Sequence, residues 1–141
     1  QMRVKRVAIA EECETTGTHE PVMGFAVPSD ADSTVKRSEA YCRQFETWIN
    51  EQPADGIAWR ERMAAGRPDL NDVLRGIMVP TAVICGDKDP SSPPAVMTPV
   101  ADAMAKSDVA MTVIADCGHF SAYEHPDQVA DALLDLVKRV G

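Results

Sequence analysis

The sequence predicts an α/β fold in its C-terminal half, preceded by a smaller helical region. Two short apolar runs, residues 79–85 and 111–115, have the composition of buried strands. Segments with helical periodicity lie between these runs and after the second one. Strands that alternate with helices form parallel sheets. We therefore expect both strands to end at the same edge of one sheet, where open α/β sheets bind their ligands.

The N-terminal part is expected to contribute one strand and a helical excursion. Residues 3–10 form a short β-branched run, which predicts a core strand within 1–10. Residues 11–72 then predict a small helical cap or lid, because no further strand pattern occurs there. Its first part, residues 11–37, is polar and interrupted by glycine and proline, which predicts a long loop.

Two helices are expected inside this cap. Ser38 is a good N-cap, and apolar side chains follow it at helical spacing, namely Tyr41, Phe45, Trp48 and Ile49. Pro53 ends this helix. Asp55 can cap a second helix, which ends near Gly66.

The region 73–141 is expected to be the core of the fold. After the strand at 79–85, Thr98 and Pro99 predict the start of a helix with proline at its first position. The strand at 111–115 follows. The last helix begins after Pro126 and carries one apolar stripe, namely Val129, Leu133, Leu136, Val137 and Val140.

The composition restricts the possible partners and the setting. The formal charge of −8 argues against nucleic acid and anionic membranes, both of which would repel this surface. No apolar run reaches the length of a membrane span, and the N-terminus lacks the apolar core of a signal peptide. No two of the four cysteines have metal-binding spacing. Cys85 and Cys117 lie in the apolar strand-like segments, where a reduced cysteine behaves as a small apolar residue, and this favours a reducing, cytoplasmic setting. No metal-binding or phosphate-binding motif is present, so we expect no cofactor.

Two residues at the predicted sheet edge are candidates for catalysis. His119 follows Gly118 just after the second strand, and a histidine is the side chain best suited to act as a base near neutral pH. Asp89 lies in an acidic turn after the first strand, where it could orient that base. Asp87 is the alternative acid, but its place directly after Gly86 suggests a role in shaping the turn.

Other side chains are weaker candidates. Phe120 and Tyr123 follow His119 and could line a substrate pocket, as could Trp48, although packing alone would also explain all three. Glu124 and His125 are interpreted as residues that start the last helix. Cys117 is interpreted as structural. It lies two residues before His119 in an extended segment, where the two side chains would point to different sides.

A nucleophile is the component that the sequence does not provide. The strained turn that presents a catalytic serine requires small residues around it, usually in the pattern Gly-x-Ser-x-Gly. The eight glycines stand at 17, 24, 56, 66, 76, 86, 118 and 141, and no two of them are four apart. We therefore expect no nucleophile elbow within this chain.

As a set, motifs in residues 77–141 resemble the C-terminal half of an α/β-hydrolase. Ile77-Met78-Val79-Pro80-Thr81 is similar to the segment before the strand that carries the acid in that family. Gly86-Asp87-Lys88-Asp89 matches its Gly-x-x-Asp motif. Gly118-His119 followed by Glu124-His125-Pro126 matches its Gly-His and Glu-x-Pro motif. The resemblance implies that Asp89 is the acid and His119 the base of a catalytic triad.

The resemblance also implies a function. The chain looks like the C-terminal part of a serine-type hydrolase for small esters or lactones, such as the 3-oxoadipate enol-lactonases, with C–C bond hydrolases as an alternative. Dehalogenases and epoxide hydrolases share the acid and the base but use an aspartate nucleophile. The serine would come from a separate N-terminal polypeptide, and a homo-oligomer would be the other way to cover the exposed sheet. A non-catalytic domain that binds a ligand or a protein is the competing class.

Overall fold

The computed structural model of the chain describes residues 2–141, which divide into two units. The first unit contains the residues up to Pro28 together with Ser38–Pro68. The second contains Ser29–Arg37 and Asp69–Gly141. The boundaries therefore differ from those expected from the sequence, because the short segment Ser29–Arg37 belongs to the second unit.

The secondary-structure elements in the described part of the first unit are all helices. Its elements are α1 (Met2–Thr16), α2 (Glu20–Met23), a 3-10 turn (Gly24–Ala26), α3 (Glu39–Asn50) and α4 (Ala54–Gly66). Its core is formed by buried side chains from all of these elements, namely Ala10, Cys13, Val22, Ala26, Ile49, Ile57 and Ala58. The long loop expected over 11–37 is thus partly replaced by the end of α1, by α2 and by the 3-10 turn, and residues 27–37 remain a loop.

The prediction of a core strand over residues 3–10 is wrong, because this segment forms the first part of α1. Ala10 and Cys13, three residues apart, are buried on one face of the helix, which packs against α4. Ion pairs join the same two helices at Arg6–Glu61 and Arg62–Glu14. These tertiary contacts outweigh the β-branched character of a run that also contains several good helix formers.

The two helices expected in the cap are confirmed, with one change at the second. Ser38 caps α3, and its side chain accepts a hydrogen bond from the amide of Tyr41. Helix α4 begins at Ala54, so that Pro53 and not Asp55 takes the N-cap position. Asp55 lies in the first turn, where a carboxylate interacts favourably with the helix dipole.

The second unit contains the parallel sheet that the sequence predicts. Strands β1 (Thr81–Gly86) and β2 (Val109–Ile114) pair in register from Thr81↔Val109 to Gly86↔Ile114. Its helices are α5 (Asn71–Leu74), α6 (Pro94–Ala103), α7 (Ser121–Glu124) and α8 (Pro126–Val140). Within residues 2–141 the sheet has two strands, since the expected strand at 3–10 is helical.

Helix α6 begins five residues earlier than expected. Pro94 is its first residue and Pro93 its N-cap, whereas Pro99 lies inside the helix. The first turn favours proline because its amides have no partner inside the helix. Pro99 lies beyond that turn and removes one backbone hydrogen bond.

The last helix leaves much of its apolar stripe uncovered by the described residues. Helix α8 contacts β1 and β2, and the side chains of Leu133, Val137 and Val140 remain exposed. No helix described over residues 2–141 combines the length and the apolar character needed to cross a bilayer.

The thiols of the chain are mostly sequestered. Cys13, Cys85 and Cys117 are buried, and none of the four cysteines forms a disulfide. Burial raises the pKa of the Cys117 thiol to about 11, and the carboxylates of Glu124 and Asp87 add to the effect. A thiol that stays protonated at neutral pH is a poor nucleophile, which agrees with a structural role for Cys117.

Two backbone segments approach each other closely where β1 and β2 end. A side-chain carbon added at Gly86 would lie 2.0 Å from the carbonyl oxygen of Cys117. The amides of Asp87 and Lys88 donate to the carbonyls of Ile114 and Cys117 at 3.0 and 2.9 Å. Position 86 therefore requires glycine for this contact to form.

We expect Gly86→Ala to lower the free energy of unfolding by about 2 kcal/mol or more, because backbone must move to admit the methyl group. Urea unfolding followed by circular dichroism measures the loss. Gly76→Ala is the matched control in the same unit, since the nearest atom there is 3.3 Å from the added carbon. An equal loss in both variants would contradict this explanation.

Candidate active site

The two catalytic candidates lie in turns at the same end of the sheet. Strand β1 ends at Gly86, three residues before Asp89, and β2 ends at Ile114, five residues before His119. Because β1 and β2 are parallel and in register, both turns leave the sheet at its C-terminal edge. Asp89 and His119 therefore lie at the same edge of the sheet, as the sequence predicts.

Asp89 and His119 form a hydrogen-bonded pair. The distance from His119 Nδ1 to Asp89 Oδ2 is 2.9 Å. The other carboxylate oxygen of Asp89 accepts the amides of Ser91 and Ser92 at 2.8 and 3.0 Å. Asp89 is only 6% exposed, whereas the side chain of His119 is 50% exposed. The acid is thus held inside the protein, while the base reaches its surface.

The environment of Asp89 keeps its carboxyl group ionised. Burial alone would raise the pKa of Asp89, but the hydrogen bonds from His119 and from the amides of Ser91 and Ser92 outweigh it. The pKa of Asp89 is therefore held below its usual value. An ionised Asp89 accepts a hydrogen bond from the N–H group at Nδ1, which leaves Nε2 of His119 as the basic nitrogen.

Asp87 joins the two turns. Its Oδ1 accepts the amide of Cys117 at 3.2 Å, and its own amide donates to Ile114. The sequence-based assignment of Asp87 to the turn agrees with these contacts, and Asp89 is the carboxylate that reaches His119.

Asp116 stabilises the start of the loop that carries His119. Its φ of 52° places it in the left-handed region, which aspartate tolerates better than most residues. The carboxylate accepts a hydrogen bond from Lys88 Nζ at 2.8 Å and one from the amide of Thr34 at 3.1 Å. The bonds from Lys88 and Thr34 lower the pKa of Asp116 well below its usual range. The sequence analysis assigned no partner to this residue.

Glu124 is the residue whose role the sequence analysis missed. It is 6% exposed, and its carboxylate accepts the amides of Gly118 and Phe120 at 2.7 and 3.3 Å. It also accepts the hydroxyl of Ser33 at 2.5 Å. A side-chain carbon at position 118 would lie 2.9 Å from Glu124 Oε1, so glycine permits this approach. The interpretation of Glu124 as a residue that merely starts α8 is therefore incomplete. Its occurrence in the Glu-x-Pro motif was the available signal.

Of the three proposed pocket residues, two belong to the second unit and one to the first. The ring of Phe120 packs edge-on against the His119 ring, with 5.4 Å between their centroids. Tyr123 is on α7 and is partly exposed. Trp48 belongs to the first unit, where its ring contacts that of Phe45. The ring of Phe120 is thus in contact with that of His119.

The described residues include no cluster of three His, Cys, Asp or Glu side chains with the geometry of a metal site. The chemistry of the Asp89–His119 pair is proton transfer, in which an oriented imidazole acts as a base and then as an acid. Such a pair activates a hydroxyl nucleophile placed at Nε2.

Comparison with known proteins identifies the fold. An alpha/beta hydrolase family model matches residues 9–132. The chain is similar in structure to a thermophilic esterase from Thermogutta terrifontis, with a TM-score of 0.81 and 26% identity over 99% of this chain and 50% of the esterase. MenH from S. aureus gives 0.80 and 19%, over 96% of this chain and 51% of MenH. An esterase from Exiguobacterium antarcticum gives 0.72 and 20%, over 96% and 48%.

The chain thus spans about half the length of these solved proteins. No curated protein matches the sequence. The family model covers most of the chain, including the turns that carry Asp89 and His119. The chain belongs to the α/β-hydrolase family and forms a partial α/β-hydrolase fold.

Proposed function

We propose that this chain supplies the acid and the base of a serine-type hydrolase that cleaves a carboxylic ester or a lactone through an acyl-enzyme. The observation that carries the proposal is the hydrogen bond between the buried Asp89 and the half-exposed His119 at the C-terminal edge of the sheet. Oriented carboxylate–imidazole pairs at this place on an α/β sheet activate nucleophiles for acyl transfer.

In the proposed reaction, Nε2 of His119 takes the proton of a serine hydroxyl while the serine oxygen attacks the carbonyl carbon of the substrate. The tetrahedral intermediate collapses, and His119 returns the proton to the departing alcohol oxygen. Water then attacks the acyl-enzyme by the same route, and His119 returns a proton to the serine. Asp89 holds the Nδ1 proton throughout and stabilises the imidazolium that forms twice.

The serine is proposed to come from a separate N-terminal polypeptide. The glycine spacing in residues 1–141 provides no nucleophile elbow, and the chain spans about half of the solved proteins that it resembles. The exposed apolar side chains of α8 support an additional layer of protein, because apolar surface of this kind is normally covered. A homo-oligomer of this chain is the alternative cover.

The proposed substrate is a small neutral or weakly polar carbonyl compound. The Phe120 ring beside His119 offers an apolar contact to the acyl or alcohol group. The two esterases among the structural relatives support an ester as the substrate. A reducing cytoplasmic setting is proposed as well, supported by four cysteines without a disulfide.

We expect His119→Ala and Asp89→Asn to reduce kcat/KM by at least about 1,000-fold, because each removes one member of the proton-transfer pair. The measurement is hydrolysis of a short-chain p-nitrophenyl ester by this chain together with the proposed N-terminal polypeptide. His19→Ala is the matched control, since it also removes an imidazole but belongs to neither of the turns that follow β1 and β2. Equal activity of all variants would contradict the catalytic proposal and favour a non-catalytic binding domain.

Native mass spectrometry of the protein purified from its own source tests the partner. We expect a one-to-one complex with a second polypeptide whose sequence contains Gly-x-Ser-x-Gly. The complex should survive high salt, because burial of apolar surface and not surface charge would hold it together. A monomer or a homo-oligomer would contradict the separate nucleophile-bearing polypeptide.

The ionised state of Asp89 predicts a pH dependence of stability. Because the pKa of Asp89 is below its ordinary value of 3.8 in the folded protein, its stabilising effect is complete above that value. The effect is lost as the pH falls through the lower, folded-state pKa. In Asp89→Asn this titration is absent, so the difference in free energy of unfolding between wild type and variant should shrink below about pH 4. Urea titrations at pH 7, 4 and 2.5 measure it, and a constant difference would contradict an ionised Asp89.

A further inference from the structure

We propose that Glu124 and Ser33 are positioning residues for His119, so that the segment Ser29–Arg37 helps to set the placement of the base. The inference rests on the proposed role of His119 as the base. It concerns residues to which neither the sequence analysis nor the proposed reaction assigns any part in catalysis.

Glu124 holds the backbone on both sides of His119. The amide of Gly118, just before the histidine, donates to Oε2, and the amide of Phe120, just after it, donates to Oε1. Fixing the two flanking peptide groups restricts rotation of the backbone at position 119. The direction of the His119 side chain from its Cα is therefore tied to the place of the Glu124 carboxylate.

The exposure of His119 explains why such support is needed. Half of its side-chain surface is open to solvent, and the hydrogen bond to Asp89 fixes only one atom of the ring. Small displacements of a catalytic group reduce the rate strongly, because proton transfer depends on distance and direction. A buried carboxylate that accepts two flanking amides supplies this support from beneath the loop.

Ser33 provides a third hydrogen bond to the carboxylate of Glu124. Its residue surface is 0% exposed, and its hydroxyl donates to Glu124 Oε2 while accepting the amide of Lys36 at 3.0 Å. The Ser33 oxygen accepts the hydrogen bond from the Lys36 amide, and its own hydroxyl proton points to Glu124. Removing it would leave the buried carboxylate with one donor fewer, which costs free energy that the loop can relieve by moving.

The segment that presents Ser33 is itself well ordered. The carboxylate of Asp32 accepts the amide and the hydroxyl of Ser29 at 2.7 and 2.9 Å, and it pairs with Lys36 Nζ at 2.7 Å. The neighbouring Thr34 amide donates to Asp116, at the start of the histidine loop. Two successive residues of the segment thus contact the loop through two different carboxylates, which defines the position of the loop relative to Ser29–Arg37.

The experiment measures whether Glu124 and Ser33 control the Asp89–His119 bond. In the full 141-residue chain, the ¹³C signal of the Asp89 carboxyl group is titrated by NMR in wild type and in three variants, His119→Ala, Glu124→Gln and Ser33→Ala. His119→Ala gives the midpoint without the bond, which should be higher than in wild type. If the inference holds, Glu124→Gln and Ser33→Ala move the midpoint from the wild-type value toward that of His119→Ala.

Ser107→Ala is the matched control. Its hydroxyl also donates a hydrogen bond in the second unit, to the Val79 carbonyl at 2.6 Å, but near the N-terminal ends of the strands. It should leave the Asp89 midpoint unchanged, although it removes a hydrogen bond of similar kind. In wild type the amides of Gly118 and Phe120 should be protected from hydrogen exchange, and Ser33→Ala should accelerate their exchange about tenfold.

The outcomes separate this inference from the proposed function. An unchanged Asp89 midpoint in Glu124→Gln and Ser33→Ala, beside a raised one in His119→Ala, overturns the positioning role and leaves the catalytic pair intact. Fast exchange of the Gly118 and Phe120 amides in wild type overturns the positioning role without any variant, so a failure of Glu124→Gln to fold leaves the test decisive. If the assembly does not hydrolyse esters while the Asp89 midpoints shift as expected, only the proposed reaction is contradicted.

Discussion

The close backbone approach between the turn after β1 and the turn after β2 is the constraint on which the site depends. Gly86 lies against the Cys117 carbonyl, and the amides of Asp87 and Lys88 are bonded across the gap. With the two turns fixed to each other, Asp89 and His119 can span only a short distance. The hydrogen bond between their side chains is therefore a consequence of backbone packing, which already places the two groups within hydrogen-bonding distance.

Four carboxylates then define the details of the site, and each makes different contacts. Asp89 orients the imidazole, Asp87 and Asp116 join the turns, and Glu124 supports the loop from below. Each one accepts hydrogen bonds, and for the buried Asp89 and Glu124 these bonds are required because a buried carboxylate without donors is costly. The net negative charge of the chain is thus partly a structural feature of its second unit, where several acids are used to hold amides.

The parts of the fold that depend on local pattern could be predicted from the sequence, and those that depend on distant partners could not. The runs at 79–85 and 111–115 are apolar and bounded by turn residues. The two strands β1 and β2 could therefore be predicted, and with them the common sheet edge at which Asp89 and His119 lie. Residues 3–10 carry an ambiguous pattern that packing against α4 resolves as helix. Glu124 lies 91 positions from Ser33, and no periodicity links residues so far apart.

The proposed second polypeptide would meet two requirements at once, because it would supply a nucleophile and cover the exposed apolar stripe of α8. A two-stranded parallel sheet buries little of its own surface, and α8 leaves Leu133, Val137 and Val140 open. A polypeptide that extends the sheet would cover such surface and would place its own strand ends at the edge where Asp89 and His119 lie. A serine at one of those strand ends would reach Nε2 of His119, so that assembly of the fold and completion of the triad would be the same event.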